Sequence, residues 1–185
     1  MNHTKTDPKG IDAEIQKLQT YMYNRVIAKW GLTSDNFDMY GRVYRERNKG
    51  GYIPMAYVGG KDYKEVFLDD TKALIMFFDV GDAITSADTK KGAQLSIYCF
   101  GNLSFIPAYA STTERMDEEA RNDIETWVDR NYDFFLSNTV IGNKAILDKY
   151  SGMIKDKAND RGMHPYITFR LDGQLSNYYI TFNNI

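Results

Sequence analysis

Two runs of adjacent carboxylates are the residues whose types first suggest chemistry in this sequence. Asp69-Asp70 and Asp117-Glu118-Glu119 have the side chains that bind a hard cation or divide acid and base roles. Each run also has a structural explanation. Asp69-Asp70 precedes an apolar stretch, where acids serve as turn residues, and the second run begins a helical pattern, where negative charge offsets the helix dipole. We favour the structural explanation for both.

His164 is the residue best suited to general base catalysis, because histidine titrates near neutral pH. No motif places a nucleophile or an acid beside it. The chain has one cysteine and two histidines, and it contains no glycine-rich phosphate loop, no nucleophile elbow and no zinc-protease motif. We therefore predict no catalytic residues, no metal and no cofactor. A small enzyme that uses His164 with Asp or Glu residues is kept as an alternative.

The most basic stretch interleaves Arg42, Arg45 and Arg47 with Tyr40 and Tyr44. Arginine and tyrosine together suit phosphate contact and base stacking, but both are also enriched in protein–protein interfaces. The formal net charge is −2, from 23 basic and 25 acidic residues. This balance favours an interface over a nucleic-acid-binding module, which stays open as an alternative.

The number of aromatic residues also indicates buried contacts between chains. The 185 residues include 14 Tyr, 10 Phe and 2 Trp, and tyrosine prefers positions where its hydroxyl reaches water or a partner. An aromatic-rich monomeric β domain is the simpler explanation of the same count. The predicted interface residues are Tyr21, Tyr23, Tyr40, Arg42, Tyr44, Arg45, Arg47, Tyr52, Tyr57, Tyr178 and Tyr179.

Length and hydropathy predict a single domain over residues 1–185, with residues 1–10 as a flexible arm. The start of the chain is polar and has no signal-peptide pattern. The longest apolar stretch, Ala73 to Phe78, is too short to cross a membrane as a helix. A single cysteine excludes an internal disulfide, so we expect a reducing compartment and a core position for Cys99.

The first half of the chain predicts one helix and several strands. Apolar residues recur every three or four positions from Ile11 to Trp30, which indicates a helix that starts near Asp7-Pro8 and ends at Gly31. The predicted strands are Tyr40 to Arg47, Tyr52 to Val58 (an edge strand or loop because of Pro54), Tyr63 to Leu68, and Thr71 to Asp79, the last one central and buried on both faces.

The second half predicts a strand, two helices and a hairpin. Residues 81–92 read as a loop, Gln94 to Phe100 as a strand paired with the preceding one, and Ser111 to Glu114 as a capping box. The remaining predictions are a helix up to Arg130, an irregular segment 131–139, a short helix 143–150, a charged loop 155–162, and a hairpin of 165–171 with 175–182 around Asp172-Gly173. Strands come in groups, not in alternation with helices. We therefore predict an α+β fold in which an antiparallel or mixed sheet is flanked by the N-terminal helix and a second amphipathic helix.

Several short motifs resemble virion proteins of tailed bacteriophages and prophages of Bacteroidetes hosts, including crAss-like phages. The similarity runs from about Ile11 to Leu171 and consists of word-like matches. They are Ala28-Lys29-Trp30-Gly31-Leu32-Thr33, Tyr40-Gly41-Arg42-Val43-Tyr44-Arg45, Gly51-Tyr52-Ile53-Pro54, Asp70-Thr71-Lys72-Ala73, Asp117-Glu118-Glu119-Ala120-Arg121-Asn122-Asp123 and Gly162-Met163-His164-Pro165-Tyr166.

The resemblance implies a non-enzymatic structural subunit of the virion, of the head–tail connector, neck-ring or tail-terminator type. Such proteins assemble as rings around the DNA channel, so the resemblance implies a homo-oligomer, neighbouring neck or tail proteins as partners, and passive contact of the lumen with DNA. In a ring, one patch of each subunit meets a different patch of the next. We expect these patches on the first helix and on residues 40–57 and 165–182, with loops 81–93 and 155–162 reaching neighbouring proteins or the channel.

Overall fold

A mixed six-stranded sheet forms the centre of the computed structural model, which describes residues 1–87, 90–112, 114–130, 133–151, 153–159 and 163–179. The helices are α1 (Ile11–Trp30), α2 (Asp117–Asp129), α3 (Asn143–Ile146) and α4 (Met153–Asn159). The strands are β1 (Asn2–His3), β2 (Phe37–Arg42), β3 (Tyr44–Asn48), β4 (Gly51–Gly59), β5 (Asp62–Glu65), β6 (Leu74–Ala87), β7 (Lys90–Asn102), β8 (Phe134–Ile141) and β9 (Tyr166–Tyr179).

The strand order of the large sheet is β1-β2-β6-β7-β9-β8. The pairs β1–β2 and β2–β6 are parallel, and the remaining pairs are antiparallel. A second, antiparallel sheet has the order β3-β4-β5. The predicted α+β class with a mixed sheet is confirmed.

Strand β6 shows how the layers are arranged. Leu74 and Met76 lie in the core shared with α1 and α2, whereas the alternate residues Ile75 and Phe77 lie in a second core with the small sheet, α3 and α4. Successive side chains of a strand point to opposite faces. The large sheet is therefore covered on both sides, and the prediction that this strand is central and buried on both faces is confirmed.

Helix α1 buries the predicted stripe, and Gly31 ends it in the left-handed conformation with φ 70°. The helix begins at Ile11 after Gly10, so the predicted start at Asp7-Pro8 is wrong. Asp123 of α2 fixes the two long helices to each other, because its carboxylate accepts hydrogen bonds from Trp30 Nε1 at 3.0 Å and from the Tyr109 hydroxyl at 2.9 Å.

The first residues of the chain differ from the predicted flexible arm. Residues 2 and 3 pair with Met39 and Tyr40 as the edge strand β1. The buried amide of Gln19 explains this placement, since its Nε2 donates to Asn2 Oδ1 at 2.7 Å and to the carbonyl oxygens of His3 and Met39 at 3.1 Å. A buried amide requires such partners.

The strand predicted from Tyr40 to Arg47 is divided between the two sheets. Val43 lies between β2 and β3 and is buried in the core under the small sheet. Strand β4 is the middle strand of that sheet, so the edge position predicted from Pro54 is wrong. Pro54 has no backbone N–H, so it removes one hydrogen-bond donor from the strand. The carbonyl oxygen of Pro54 still accepts a hydrogen bond from Val66 N at 2.9 Å.

The prediction of a loop at 81–92 is wrong for the residues that the structure describes, whereas the expectation that this segment reaches neighbours stays a prediction. Residues 81–87 continue β6, and 90–93 begin β7, with Ile84 paired with Ala93 and Ala87 paired with Lys90. The pairing of Lys91 with Tyr178 of β9 supports the same extension from the other side. Ladder hydrogen bonds on both sides of a strand outweigh the small, polar composition that suggested a loop.

The hairpin predicted around Asp172-Gly173 is also wrong, because β9 runs through both residues. Gly173 pairs with Leu95 on one side and Leu136 on the other. A side chain at this position would collide with the ring of Phe134 and the carbonyl oxygen of Phe135. Glycine is therefore required here for close approach of β8 and not for a turn.

Three further segments differ from their predictions. The segment 131–139, expected to be irregular, contains the start of β8. Helix α2 begins at Asp117 with no side-chain cap, so the capping box at Ser111 to Glu114 does not open it. The charged loop 155–162 is helical as far as Asn159 in α4, and residues 160–162 lie outside the described part of the chain.

Candidate protein interface

The small sheet has one face toward the core and one face toward solvent. Arg45, Pro54 and Ala56 lie on the inner face, where Pro54 and Ala56 are buried. Residues directly opposite each other in an antiparallel pair share a face. The register Tyr44↔Met55↔Glu65, Glu46↔Ile53 and Tyr57↔Tyr63 therefore defines the outer face. We call these residues the aromatic face: Tyr44, Glu46, Ile53, Met55, Tyr57, Tyr63 and Glu65.

Three tyrosines form the centre of the aromatic face. The ring of Tyr63 lies 5.2 Å from that of Tyr44 and 5.7 Å from that of Tyr57, in edge-to-face arrangements of 79° and 64°. Such contacts fix the orientation of aromatic rings. Tyr44 and Tyr63 nevertheless remain 42% and 39% exposed. The sheet thus presents preoriented aromatic rings to solvent.

Two cations of the chain lie against these rings. Lys5 Nζ is 5.4 Å from the centroid of Tyr44 and 5.7 Å from that of Tyr63, and it forms an ion pair with Asp12 at 2.6 Å. The guanidinium of Arg42 lies 5.2 Å from the Tyr44 centroid. Partial burial lowers the pKa of Lys5, but the hydrogen bonds of its ammonium with Asp12 and Tyr63 outweigh it and raise that pKa above its usual value. The ammonium therefore stays charged.

Within the described part of the chain, no cation forms an ion pair with Glu46 or Glu65, the two carboxylates of the aromatic face. Glu65 Oε1 is buried and has no hydrogen-bond partner, and burial together with the nearby charge of Glu46 raises the pKa of Glu65. An open cavity of about 420 Å³ beside them is lined by Tyr44, Arg45, Glu46, Met55 and Tyr63. The site therefore combines aromatic and thioether surface with unneutralised negative charge.

The predicted arginines do not form one basic surface. Arg45 points into the molecule, where its Nη2 binds Asp79 at 2.9 Å and its Nη1 binds Asp82 at 2.7 Å. Arg42 lies on Tyr44, with Asp12 at 3.5 Å. Arg47 is exposed on the other side of the small sheet from Tyr44. Two of the three guanidiniums are thus already engaged by carboxylates.

The predicted interface tyrosines occupy several different places. Tyr44 and Tyr57 belong to the aromatic face. Tyr23 stacks on Phe37 at 5.0 Å in the core that the large sheet shares with α1 and α2, which we call the helix-side core. The other tyrosines with described side chains are Tyr40, stacked on His3 at 4.5 Å, Tyr21, beside Arg25 at 5.3 Å, and the exposed Tyr52. The side chains of Tyr178 and Tyr179 lie outside the described part of the structure.

The individually predicted interface residues omit five members of the aromatic face: Glu46, Ile53, Met55, Tyr63 and Glu65. The first three nevertheless lie within residues 40–57, which were predicted as an assembly patch. Their alternation with inward residues was readable within each strand. The register that brings the three strands together could not be predicted from single strands, because it depends on the turns at Asn48 to Gly51 and Gly59 to Asp62.

The residues considered for catalysis lie apart from this surface. His164 is exposed beside a small cavity of about 60 Å³ that is also lined by Ser104 and Glu114, but the Ser104 hydroxyl donates to Asn102 Oδ1 at 2.6 Å. Asp69 accepts hydrogen bonds from Thr71, as expected of a turn residue. Asp117, Glu118 and Glu119 form the first turn of α2. In the described residues, no three His, Cys, Asp or Glu side chains are grouped as metal ligands.

No protein-family model matches the chain, and no curated protein matches it. Among the helices that the structure describes, none is long and apolar enough to cross a membrane.

Proposed function

We propose that this chain is a structural subunit of a tailed-phage virion that binds its neighbours through the aromatic face. In this proposal the subunits form a ring in the neck or tail, of the head–tail connector or tail-terminator type, and contact other neck or tail proteins. The observation that carries the assembly role is the exposed aromatic face with Tyr44, Met55 and Tyr63. The phage setting comes from the sequence resemblance described above.

The composition of the aromatic face supports an assembly role. Tyrosine and methionine are enriched at the centres of protein interfaces. A tyrosine side chain has few rotatable bonds, so its burial costs little conformational entropy. The ring contacts of Tyr63 with Tyr44 and Tyr57 reduce that cost further, because the rings are already oriented.

A closed ring also needs a second, different patch on each subunit. The exposed side of α1 offers one, with Arg25 lying over the ring of Tyr21 at 5.3 Å. Helix α1 packs on the helix-side core, whereas the small sheet packs on the opposite face of the large sheet. The two patches therefore differ, as head-to-tail assembly requires.

Sedimentation velocity and native mass spectrometry test the assembly role. We expect the wild-type chain to form a discrete species of several subunits, and the double variant Tyr44→Ser/Tyr63→Ser to remain monomeric and folded. Phe105→Ser is the matched control, because Phe105 is a similarly exposed aromatic residue outside the aromatic face. Assembly of the double variant at wild-type concentrations would contradict the proposal.

Location in the particle is tested separately. Mass spectrometry of phage particles purified from the producing bacterium should find this chain at a fixed copy number relative to the major capsid protein. Electron cryo-microscopy of the same particles should place it in a ring of the neck or tail. Its absence from intact particles, in cells that synthesise it, would reject the virion assignment.

A further inference from the structure

The aromatic face already binds one lysine of its own chain. The Lys5 ammonium lies against Tyr44 and Tyr63 and is neutralised by Asp12. This arrangement combines ring faces that attract a cation with a carboxylate that pairs with it. The surface therefore shows the chemistry by which it holds a cationic side chain.

The same face also carries two carboxylates, Glu46 and Glu65. Glu46 and Glu65 lie in neighbouring rows of the sheet, adjacent to Met55. Among the residues that the structure describes, none forms an ion pair with either carboxylate, and Glu65 Oε1 is buried without a hydrogen-bond partner. A buried acceptor without a donor destabilises a protein, and so does a like charge beside it.

We propose that Glu46 and Glu65 form a binding site for an arginine or lysine side chain presented by a neighbouring protein chain. This inference rests on the proposed function, since it names the chemistry by which the assembly surface selects its partner. The cation enters the cavity lined by Tyr44, Glu46 and Met55, and lays its aliphatic stem on the Met55 thioether and the Tyr44 ring. It pairs with Glu46 and with Glu65, which does not line the cavity but lies opposite Met55 on the neighbouring strand.

The physical properties of the cavity match such a side chain. Lysine and arginine bury their methylene stems on apolar surface while the charged end pairs with an acid. Methionine adapts its shape to the side chain that covers it. Arg45, the cation that also lines the cavity, does not repel the incoming group strongly, because Asp79 and Asp82 already neutralise it.

Peptide titration tests this site without requiring assembly. The probes are the capped peptide Gly-Ser-Arg-Ser-Gly, its lysine analogue and its glutamine analogue, and the readout is the NMR signal of ¹³C-labelled Met55 methyl groups. We expect both cationic peptides to shift the signal and the glutamine peptide to leave it unchanged. Equal shifts with the glutamine peptide would overturn the proposal.

Variants separate the two carboxylates from general negative charge. Glu46→Gln/Glu65→Gln should weaken binding of the arginine peptide by about tenfold or more, as expected for removal of charged partners. Asp62→Asn is the matched control, because Asp62 is an exposed acid at the start of β5, and it should bind like wild type. Unchanged affinity in the double variant would overturn the site.

The assembly assay distinguishes failure of this inference from failure of the proposed function. If Glu46→Gln/Glu65→Gln assembles as wild type does while Tyr44→Ser/Tyr63→Ser does not, the assembly role stands and the cation site is wrong. If the wild-type chain remains monomeric but binds the cationic peptides through Glu46 and Glu65, the site stands and self-assembly is wrong.

Discussion

The guanidinium of Arg45 forms a two-point ion pair with the carboxylate of Asp79, with Nε 3.0 Å from Oδ1 and Nη2 2.9 Å from Oδ2. Arg45 belongs to β3 of the small sheet, and Asp79 belongs to β6 at the centre of the large sheet. The side chains are 14% and 3% exposed, respectively. This buried pair therefore ties the sheet that bears the aromatic face to the rest of the molecule.

Replacement of Arg45 by Met should lower the free energy of unfolding by about 3–5 kcal/mol, because it leaves Asp79 as a buried charge without a partner. Arg45→Lys should also destabilise the protein, since an ammonium cannot reproduce the two-point geometry. Urea denaturation followed by circular dichroism measures both effects. Loss of less than about 1 kcal/mol in Arg45→Met would show that the pair is not desolvated as the structure indicates.

The double variant Arg45→Met/Asp79→Leu provides the control for this prediction. Replacing both members of a buried ion pair by apolar residues often restores stability. We expect the double variant to be more stable than Arg45→Met alone. Stability as low as that of the single variant would show that the loss comes from packing of the arginine stem and not from the uncompensated charge.

Gly173→Ala should destabilise the protein strongly, because its Cβ would collide with the ring of Phe134 and the carbonyl oxygen of Phe135. Overpacking of this kind costs about 1–3 kcal/mol or more. The backbone oxygen cannot rotate away, so β8 must shift as a whole. Urea denaturation of the variant measures the loss.

Gly60→Ala is the matched comparison. Gly60 has φ +59°, and a Cβ there would meet no atom within 4 Å. Its replacement should cost only the backbone strain of a left-handed alanine, about 1 kcal/mol. A larger loss at Gly60 than at Gly173 would contradict the close approach of β8 and β9.

Local patterns in the sequence predicted the elements whose environment is uniform along their length. Helix α1 has one buried face over its 20 residues, so the spacing from Ile11 to Trp30 identified both the helix and its core contacts. Strand β6 is apolar from Leu74 to Phe78 because both of its faces are covered there. These features need no knowledge of partner strands.

Pairing between distant segments determines the secondary structure of the elements that were not predicted from the sequence. Asp172-Gly173 has the composition of a turn, but the neighbours of Gly173 on both sides are strands more than 30 residues away in the chain. The ladder hydrogen bonds to β7 and β8 keep the chain extended. The polar residues 81–87 and 90–93 belong to strands β6 and β7, which pair with each other, and this part of β7 also pairs with β9 more than 80 residues later in the chain.

Residues of the candidate interface were predicted only where the residue types within a single strand indicated an interface. Tyr44 and Tyr57 were selected from their own segments, but the carboxylate of Glu65 joins them only through the register of β4 with β5. Arg45 was assigned to the surface, whereas its partner Asp79 lies 34 residues away and draws it inside. Charge pairs across long separations are not visible as local patterns.

The thiol of Cys99 should not react with Ellman's reagent at pH 8 in the native protein. The side chain is buried in the helix-side core, and burial raises the pKa of the thiol well above its usual value. Thiolate is the reactive form, so both access and ionisation are lost. The same reagent in denaturing urea should find one thiol per chain, and stoichiometric labelling within minutes without urea would contradict the core position.

Glu65→Gln should stabilise the protein at pH 7 and leave its stability nearly unchanged at pH 3.5. Burial and the charge of Glu46 raise the pKa of Glu65 in the folded state. A carboxyl group whose pKa is raised in the folded state contributes its full stabilisation below its pKa in the unfolded state, about 4.3 for glutamate. This stabilisation is lost as the pH rises through the pKa of the folded state. Glutamine does not ionise, so it avoids this loss, and urea midpoints at the two pH values measure the difference. Asp62→Asn removes the same charge at an exposed position at the start of β5 and should not reproduce the pH-dependent gain.

Addition of the arginine peptide at pH 7 should stabilise wild type more than Glu65→Gln, because only the ionised carboxylate pairs with the cation. Equal stabilisation of both proteins by the peptide would show that Glu65 carries an unfavourable charge for some reason other than an unfilled binding site.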